Sequence, residues 1–327
     1  MPQPNTRELI VAGPLANVSV AYRNQSYVAD RVFPIIDKVS PKAKIARYLK
    51  GAWFRDEAGI RAPGTRANRG GYPVDYIDIA TKEYAFAHEV TDEDRRAAKV
   101  AGAPPLNPDQ DAIEFAADKI DLKKERRVAD LVLSTTWSAT SGGEDAAGLW
   151  APNDATNTFL ADVNARIESI RAATGMKPNT LLMDHGTYMK VKELDDLLAR
   201  IQYTQRGILS ADMIAAILDL DEVLIGEAIY SSAKETKAGT DFTAVNVWEK
   251  NAGKGSAFLF YRPTRPGLKT PSAGYQARAA YEDGSPRRTV RWREAAEHQD
   301  VYEVAEDTHI VATGADLGFL WVDTILT

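Results

Sequence analysis

Apolar and polar residues alternate through YPVDYIDIATKEYAFAHEV, residues 72–90. Ile77, Ile79 and Thr81 fall on one face and Tyr76, Asp78 and Ala80 on the other, which is the period of a strand. A different period takes over at Asn107 and Pro108, an N-cap followed by a first helical residue. From there Ile113, Ala116, Ala117, Ile120, Val128 and Leu131 form a stripe, with Lys, Arg, Asp and Glu between them. The pattern predicts a helix over 109–134, about 37 Å long at 1.5 Å per residue. A shorter helix is expected in TDEDRRAAK, capped by Thr91 with acids in its first turn. Another runs on Leu160, Val163, Ile167 and Ile170 and closes at Gly175.

From 157 to 230, helical and strand-like runs alternate. NTLLMDH and DEVLIGEAIY read as strands, GTYMKVKELDDLLARIQ and SADMIAAILDL as helices, the last capped by Ser210. After Thr240 strands dominate, in AVNVWEK, SAFLFYRP, GYQARAAYE, RRTVRWREAAE, DVYEVAEDTHIVA and GFLWVDTIL. The first fifty residues carry Pro2, Pro4, Pro14, Pro34 and Pro41, which forbid a long helix. NVSVAY and RVFPIID there read as extended segments that must lie along the body or along a neighbour.

One stretch has no core-forming pattern. FRDEAGIRAPGTRANRGGYPVDY, Phe54 to Tyr76, sits between the strand-like GAWF and the alternating run, and reads as the mobile tip of a long hairpin. Three readings compete: a disordered loop, a phosphate or nucleic-acid grip, and an arm ordered only against another chain. Arg55, Arg61, Arg66 and Arg69 suit phosphate, yet Asp56, Glu57, Asp75 and Asp78 balance them along the chain. Mixed charge fits contact with another protein surface better than a polyanion.

The totals narrow the class. With 327 residues, 44% of them hydrophobic, the chain can fill a large core without covalent staples. Its lack of cysteine removes disulfides, thiolate metal sites and cysteine nucleophiles. Net charge is −6, but the first fifty residues hold eight basic and three acidic side chains, a net of +5. A basic arm on an acidic body points to a polyanion or acidic neighbour at that arm. The N-terminus lacks the pattern of a signal peptide, and no stretch approaches the ~20 apolar residues of a membrane helix. The expected site of production is therefore the cytosol.

No catalytic, cofactor-binding or metal-binding residue stands out. His88, His185, His298 and His309 are scattered, without the spacing of a zinc helix. NAGKGSAF imitates a phosphate loop, but Trp248 stands where the first glycine belongs and Gly255 follows Lys254, so a hairpin turn is the better reading. Glu193, Asp195 and Asp196 read as solvated helix charges.

The order of elements resembles the major capsid proteins of tailed bacteriophages, the Johnson fold. The likeness spans the whole chain and rests on YVADRVFPIIDKVSPKAKIARY, EYAFAHEVTDEDRRAA, TLLMDHGTYMKV, DEVLIGEAIY and DLGFLWVDTIL. It implies an α+β chain divided into an N-terminal arm (1–50), an extension loop (51–90), a peripheral domain (91–178) with a spine helix at 109–134, an axial domain (179–261) and strands returning to the peripheral domain (262–327). It implies a structural, non-enzymatic protein that self-assembles through pentamers and hexamers into an icosahedral shell around double-stranded DNA. Identical subunits, a separate scaffolding protein and packaged DNA are the expected partners, with no membrane and no cofactor. The location is the virion capsid after assembly in the host cytoplasm. The inter-subunit residues it implies are Arg55, Asp56, Glu57, Arg61, Arg66 and Arg69 on the loop and Tyr203 and Arg206 near the capsomer axis. Some members crosslink through a hairpin lysine. No lysine lies between Lys50 and Lys82, and arginine cannot replace it as a nucleophile, so a non-covalent shell is expected. The rival readings are an encapsulin-like compartment shell, an α/β enzyme whose site is not visible in the sequence, and a nucleic-acid-binding module.

Overall fold

The near-continuous apolar runs TLLMD, EVLIG, SAFLF and GFLWV have no polar face to turn to water, so a sheet built from them must be covered on both sides. In a computed structural model, which describes residues 23–100, 106–137, 144–146, 150, 157–201, 209–234, 241–267 and 269–325, that is what they form. The order across this sheet is Glu144–Asp145, Gly318–Val322, Ser256–Phe260, Thr180–Asp184, Glu222–Gly226. The last two are parallel, and Ser256–Phe260 is antiparallel to both its neighbours.

The two-residue period sorts the side chains into two cores. Leu181, Met183, Leu259, Phe319 and Trp321 face the helices Phe159–Thr174 and Ala211–Leu218 through Val163, Ile170, Ile214 and Leu218. Leu182, Leu224, Phe258, Phe260 and Leu320 face the opposite way, onto Val128, Ala129 and Val132 of the long helix. The final strand, Gly318–Val322, thus belongs to this sheet rather than returning to the other. Its side chains alternate between the two cores, Phe319 and Trp321 in one and Leu320 in the other.

The long helix spans Pro108–Ser134, 27 residues with proline in its first turn. Its buried line is Ala112, Ala116, Ile120, Lys124, Glu125, Val128, Ala129 and Val132. Ile113, Ala117 and Leu131 of the expected stripe are only half-buried. The line shifts because the helix serves two sheets. Its first half packs on Val90, Tyr302 and Val304, its second half on the two-sided sheet.

The other sheet is organised by one 14-residue strand, Gln299–Ala312. Residues 299–305 are paired on both edges, with Lys82–Thr91 and with Arg288–Glu294. Further along, Gly274–Arg278 pairs with Thr308–Ala312 and carries Ile35–Ile36 on its outer side. The helix Asp92–Ala98 follows Lys82–Thr91 through a capping box between Thr91 and Asp94.

The first described residues are not a free arm. Val28, Ala29, Val32 and Phe33 are buried in the chain's own core, around a helical turn at Ala29–Val32. The strand-like reading of RVFPIID gives way because Val28 and Ala29 find acceptors on the long helix, described below. Gly274 makes room for this segment: a Cβ there would lie 2.7 Å from the Phe33 ring. Gly274→Ala is expected to overpack the site and destabilise the subunit by about 1–3 kcal/mol. A lowered urea midpoint at unchanged slope is the check.

Candidate assembly surface

KAKIARY and VDYIDIA both alternate, and they pair with each other. Lys42–Tyr48 and Val74–Ala80 form an antiparallel ribbon, with Lys42 opposite Ala80 and Tyr48 opposite Val74. The entering strand is therefore Lys42–Tyr48, and GAWF belongs to a helical turn at Lys50–Trp53 instead. Of the ribbon's side chains only Ile79 is buried. A two-stranded ribbon with so little core is marginal by itself. Cross-strand ion pairs line it, Arg47–Asp75 at 2.6 Å and Lys44–Asp78 at 3.4 Å. The Tyr76 N–H and the Arg47 guanidinium hold the Asp75 carboxyl below the usual aspartate range.

Beyond the ribbon every residue from Trp53 to Pro73 is exposed. Tyr48, Trp53 and Tyr72 gather their rings at 5.6–6.0 Å, with the Lys269 ammonium over two of them. Pro63 and Gly64, φ 82°, occupy the centre of a tight turn closed by the Thr65 N–H on the Ala62 carbonyl at 3.2 Å. Ile60, close to this turn, is wholly exposed.

All six loop residues expected at subunit contacts sit on this one surface. Arg55 lies 3.6 Å from Glu57. Among the described residues Asp56, Arg61, Arg66 and Arg69 have no ion-pair partner. The balance of charge along the chain is misleading, because Asp75 and Asp78 are matched inside the ribbon by Arg47 and Lys44. Gly59–Tyr72 then carries three arginines and no carboxylate. Tyr203 and Arg206 lie outside the described residues.

A second group, missed in the sequence, fixes where the chain's first residues leave the body. Glu125 is fully buried and accepts from the Val28 N–H at 3.0 Å, the Ala29 N–H at 2.7 Å and the Trp248 indole N–H at 2.6 Å. Burial pushes its carboxyl above the ordinary glutamate range, and the three donors offset this only in part. Around it Lys124 pairs with Asp30 at 3.0 Å, and the Gln276 amide donates to the Ala29 and Phe33 carbonyls at 2.9 Å. The Tyr27 hydroxyl donates to Asp118 at 3.0 Å, its phenol pushed up to about 12, chiefly by burial. Arg31 and Arg262 share Glu222. The signal was present: Ala112, Ala116 and Ile120 recur every four residues, and the next step is Lys124.

An ionic cluster locks the start of the long helix to the sheet built around Gln299–Ala312. Arg95 meets Asp109 and Asp300 at 2.7 Å, Arg291 meets Asp300 at 2.7 Å, and Arg293 chelates Asp92 at 2.7 and 2.5 Å. The Arg293 hydrogen bonds bring the Asp92 carboxyl down to about 2. A depressed carboxyl stabilises fully above its ordinary value of 3.8 and loses that contribution as pH falls through the depressed one. Subunit stability is thus expected to drop between pH 4 and pH 2, with a shallower drop in Asp92→Asn. Urea titrations across that window are the measurement, and equal slopes in both proteins would contradict it.

No group of three or more His, Asp or Glu side chains among the described residues is placed to hold a metal ion. No protein-family profile matches the chain. The major capsid protein of Burkholderia phage BcepMu is 26% identical over 337 residues, covering 95% of each chain. A phage-related protein from Bordetella bronchiseptica has a TM-score of 0.67 at 21% identity, covering 94% of each chain. The capsid structure of cyanophage P-SCSP1u gives 0.62 at 10% identity, covering 97% of this chain and 93% of that one.

The chain has the fold of phage capsid proteins. The α+β Johnson architecture expected from the order of elements is borne out, and the Burkholderia phage relative is a major capsid protein. Within that fold the exposed loop and the buried anchor are opposites: residues 24–37 are fastened to their own subunit, and residues 53–73 stand clear of its core.

Proposed function

We propose that this chain is the major capsid protein of a tailed phage, assembling through pentamers and hexamers into an icosahedral shell around double-stranded DNA. The observation that carries this reading is the loop. Its contacts gather at the base, around Tyr48, Trp53 and Tyr72, while Ile60 and three arginines without an ion-pair partner among the described residues leave the tip bare. Laid across an identical neighbour it buries that surface, and symmetry repeats the contact at every subunit. In this reading the loop straps the neighbour, and the two-sided sheet with its helices forms the axial domain near symmetry centres.

Identical copies are the principal partner. A separate scaffolding protein and packaged DNA, held by non-specific contact on the inner face, are the further ones. The role is structural rather than enzymatic, and the product is a virion capsid assembled in the host cytoplasm. The loop carries no lysine to join neighbours, so its contacts are non-covalent. Sedimentation and electron microscopy of the protein, expressed alone and with its neighbouring genes, test this. Closed particles or capsomers are expected. A uniform small oligomer under every condition would overturn it, and closed particles filled with protein instead of DNA would favour a compartment shell.

A further inference from the structure

The arginine tip must be received somewhere, and the body offers one face of matching chemistry. Along Lys82–Thr91 the two-residue period places Phe86, His88 and Val90 on the side of the long helix. Phe115 projects from that helix, its ring 5.7 Å from Phe86 and 5.4 Å from His88. Phe86 and Phe115 stay exposed, at 37% and 44%, although each has an aromatic neighbour. Beside them lies a recess of about 340 Å³ lined by His88, Val90 and Phe115 together with Glu89, Asp94 and Asp111.

Its carboxylates are lightly engaged. The Asp111 carboxylate has no hydrogen-bond or ion-pair partner among the described residues. Glu89 lines the recess through its backbone side, its carboxylate turned to the Gln299 amide at 3.3 Å on the other face of the strand, and Asp94 is used by the Thr91 cap. Among the described residues the one cation on these rings is Lys119, 5.0 Å from the Phe115 centroid. Aromatic faces rimmed by carboxylates suit guanidinium groups, which stack on rings and hydrogen-bond to carboxylates at once.

We propose that this groove receives the Ile60–Arg69 tip of a second copy of the chain. The inference rests on the shell reading above and adds the acceptor surface to it. The occupant follows from complementarity: the tip is arginine-rich, acid-free and capped by a bare Ile60, and the groove is acidic and aromatic. The chain's own tip does not fill it: Phe86 and Phe115 stay exposed in the single subunit, and among the described residues no hydrogen bond or ion pair joins residues 60–69 to the groove. Ile60 covers the phenyl rings while Arg66 or Arg69 reaches Asp111.

The absence of cysteine makes a direct test clean. Arg66→Cys and Asp111→Cys proteins, both altered at exposed positions, are co-assembled into particles and treated with a short bis-maleimide. The expected result is at least tenfold more crosslinked heterodimer than from Arg66→Cys with Glu282→Cys, an exposed position away from the groove. Particles in which Arg66→Cys links no better to Asp111→Cys overturn the docking and leave the shell reading standing. Protection of Arg66→Cys from maleimide in DNA-filled but not empty particles also overturns it, assigning the tip to nucleic acid. Failure of every preparation, wild type included, to form particles removes both.

Discussion

Exchanging Arg61, Arg66 and Arg69 together for Glu is expected to leave a soluble, folded subunit that no longer forms shells. Folding survives because nothing in the subunit depends on these side chains: all three are exposed and none has an ion-pair partner among the described residues. Exposed substitutions away from caps, cores and networks shift stability by about 0.5 kcal/mol or less each. Assembly is different. The reversal turns a tip with three positive charges into one with three negative charges, and it does so at every subunit at once. Like charges brought together across an interface cost several kcal/mol, and a closed shell repeats the penalty with each symmetry-related contact. Thermal unfolding of the purified triple variant should match wild type, while sedimentation shows loss of particles. Normal particles from this variant would count heavily against the strap.

Glu125→Ala is expected to cost the subunit more stability than either Gly274→Ala or Asp92→Asn. It strands three buried donors, the Val28 and Ala29 N–H groups and the Trp248 indole, and leaves a void beside the second half of the long helix. Each unmet buried donor costs roughly 1–3 kcal/mol, so a total of about 3–5 kcal/mol is expected after partial relaxation. Glu125→Gln should lose less. It keeps one acceptor and removes the cost of holding an ionised carboxylate away from water, the cost that pushes the native carboxyl upward. Urea unfolding ranks wild type and the two Glu125 variants. Limited proteolysis should find new cuts in residues 24–37 of Glu125→Ala, because that segment is what the carboxylate holds. Equal stability of Glu125→Ala and wild type would mean the segment is fastened by its other contacts alone.

Much of this architecture was legible where the signal is local. Leu181–Met183 and Phe258–Phe260 are short continuous apolar runs, the pattern of two-sided strands. The long helix announces itself with Pro108 and a regular stripe. What escaped depends on partners far along the chain. Glu125 is 97 residues from Val28 and 123 from Trp248, and the Gln276 amide is 247 from Ala29, so no window could reveal that residues 24–37 are clamped. The entering ribbon strand was overlooked because Lys42, Lys44 and Arg47 make KAKIARY read as a charged arm. Pairing with Asp78 and Asp75 explains Lys44 and Arg47.

The loop itself was legible and its electrostatics were not. Glycine, proline and the lack of core residues foretold exposure. Charges counted along the chain come to neutrality, whereas the ribbon consumes the acids at its base and leaves the tip positive. Composition reports a sum, and a binding surface responds to position.

The central claim is that Phe54–Tyr76 finds its place on another subunit. A cryo-electron microscopy reconstruction of the assembled particle measures this directly. The account expects the density of each loop to run over an adjacent copy, with its arginine tip at the Phe86–Phe115 groove of that copy. A loop folded back on its own subunit in every symmetry environment would contradict it.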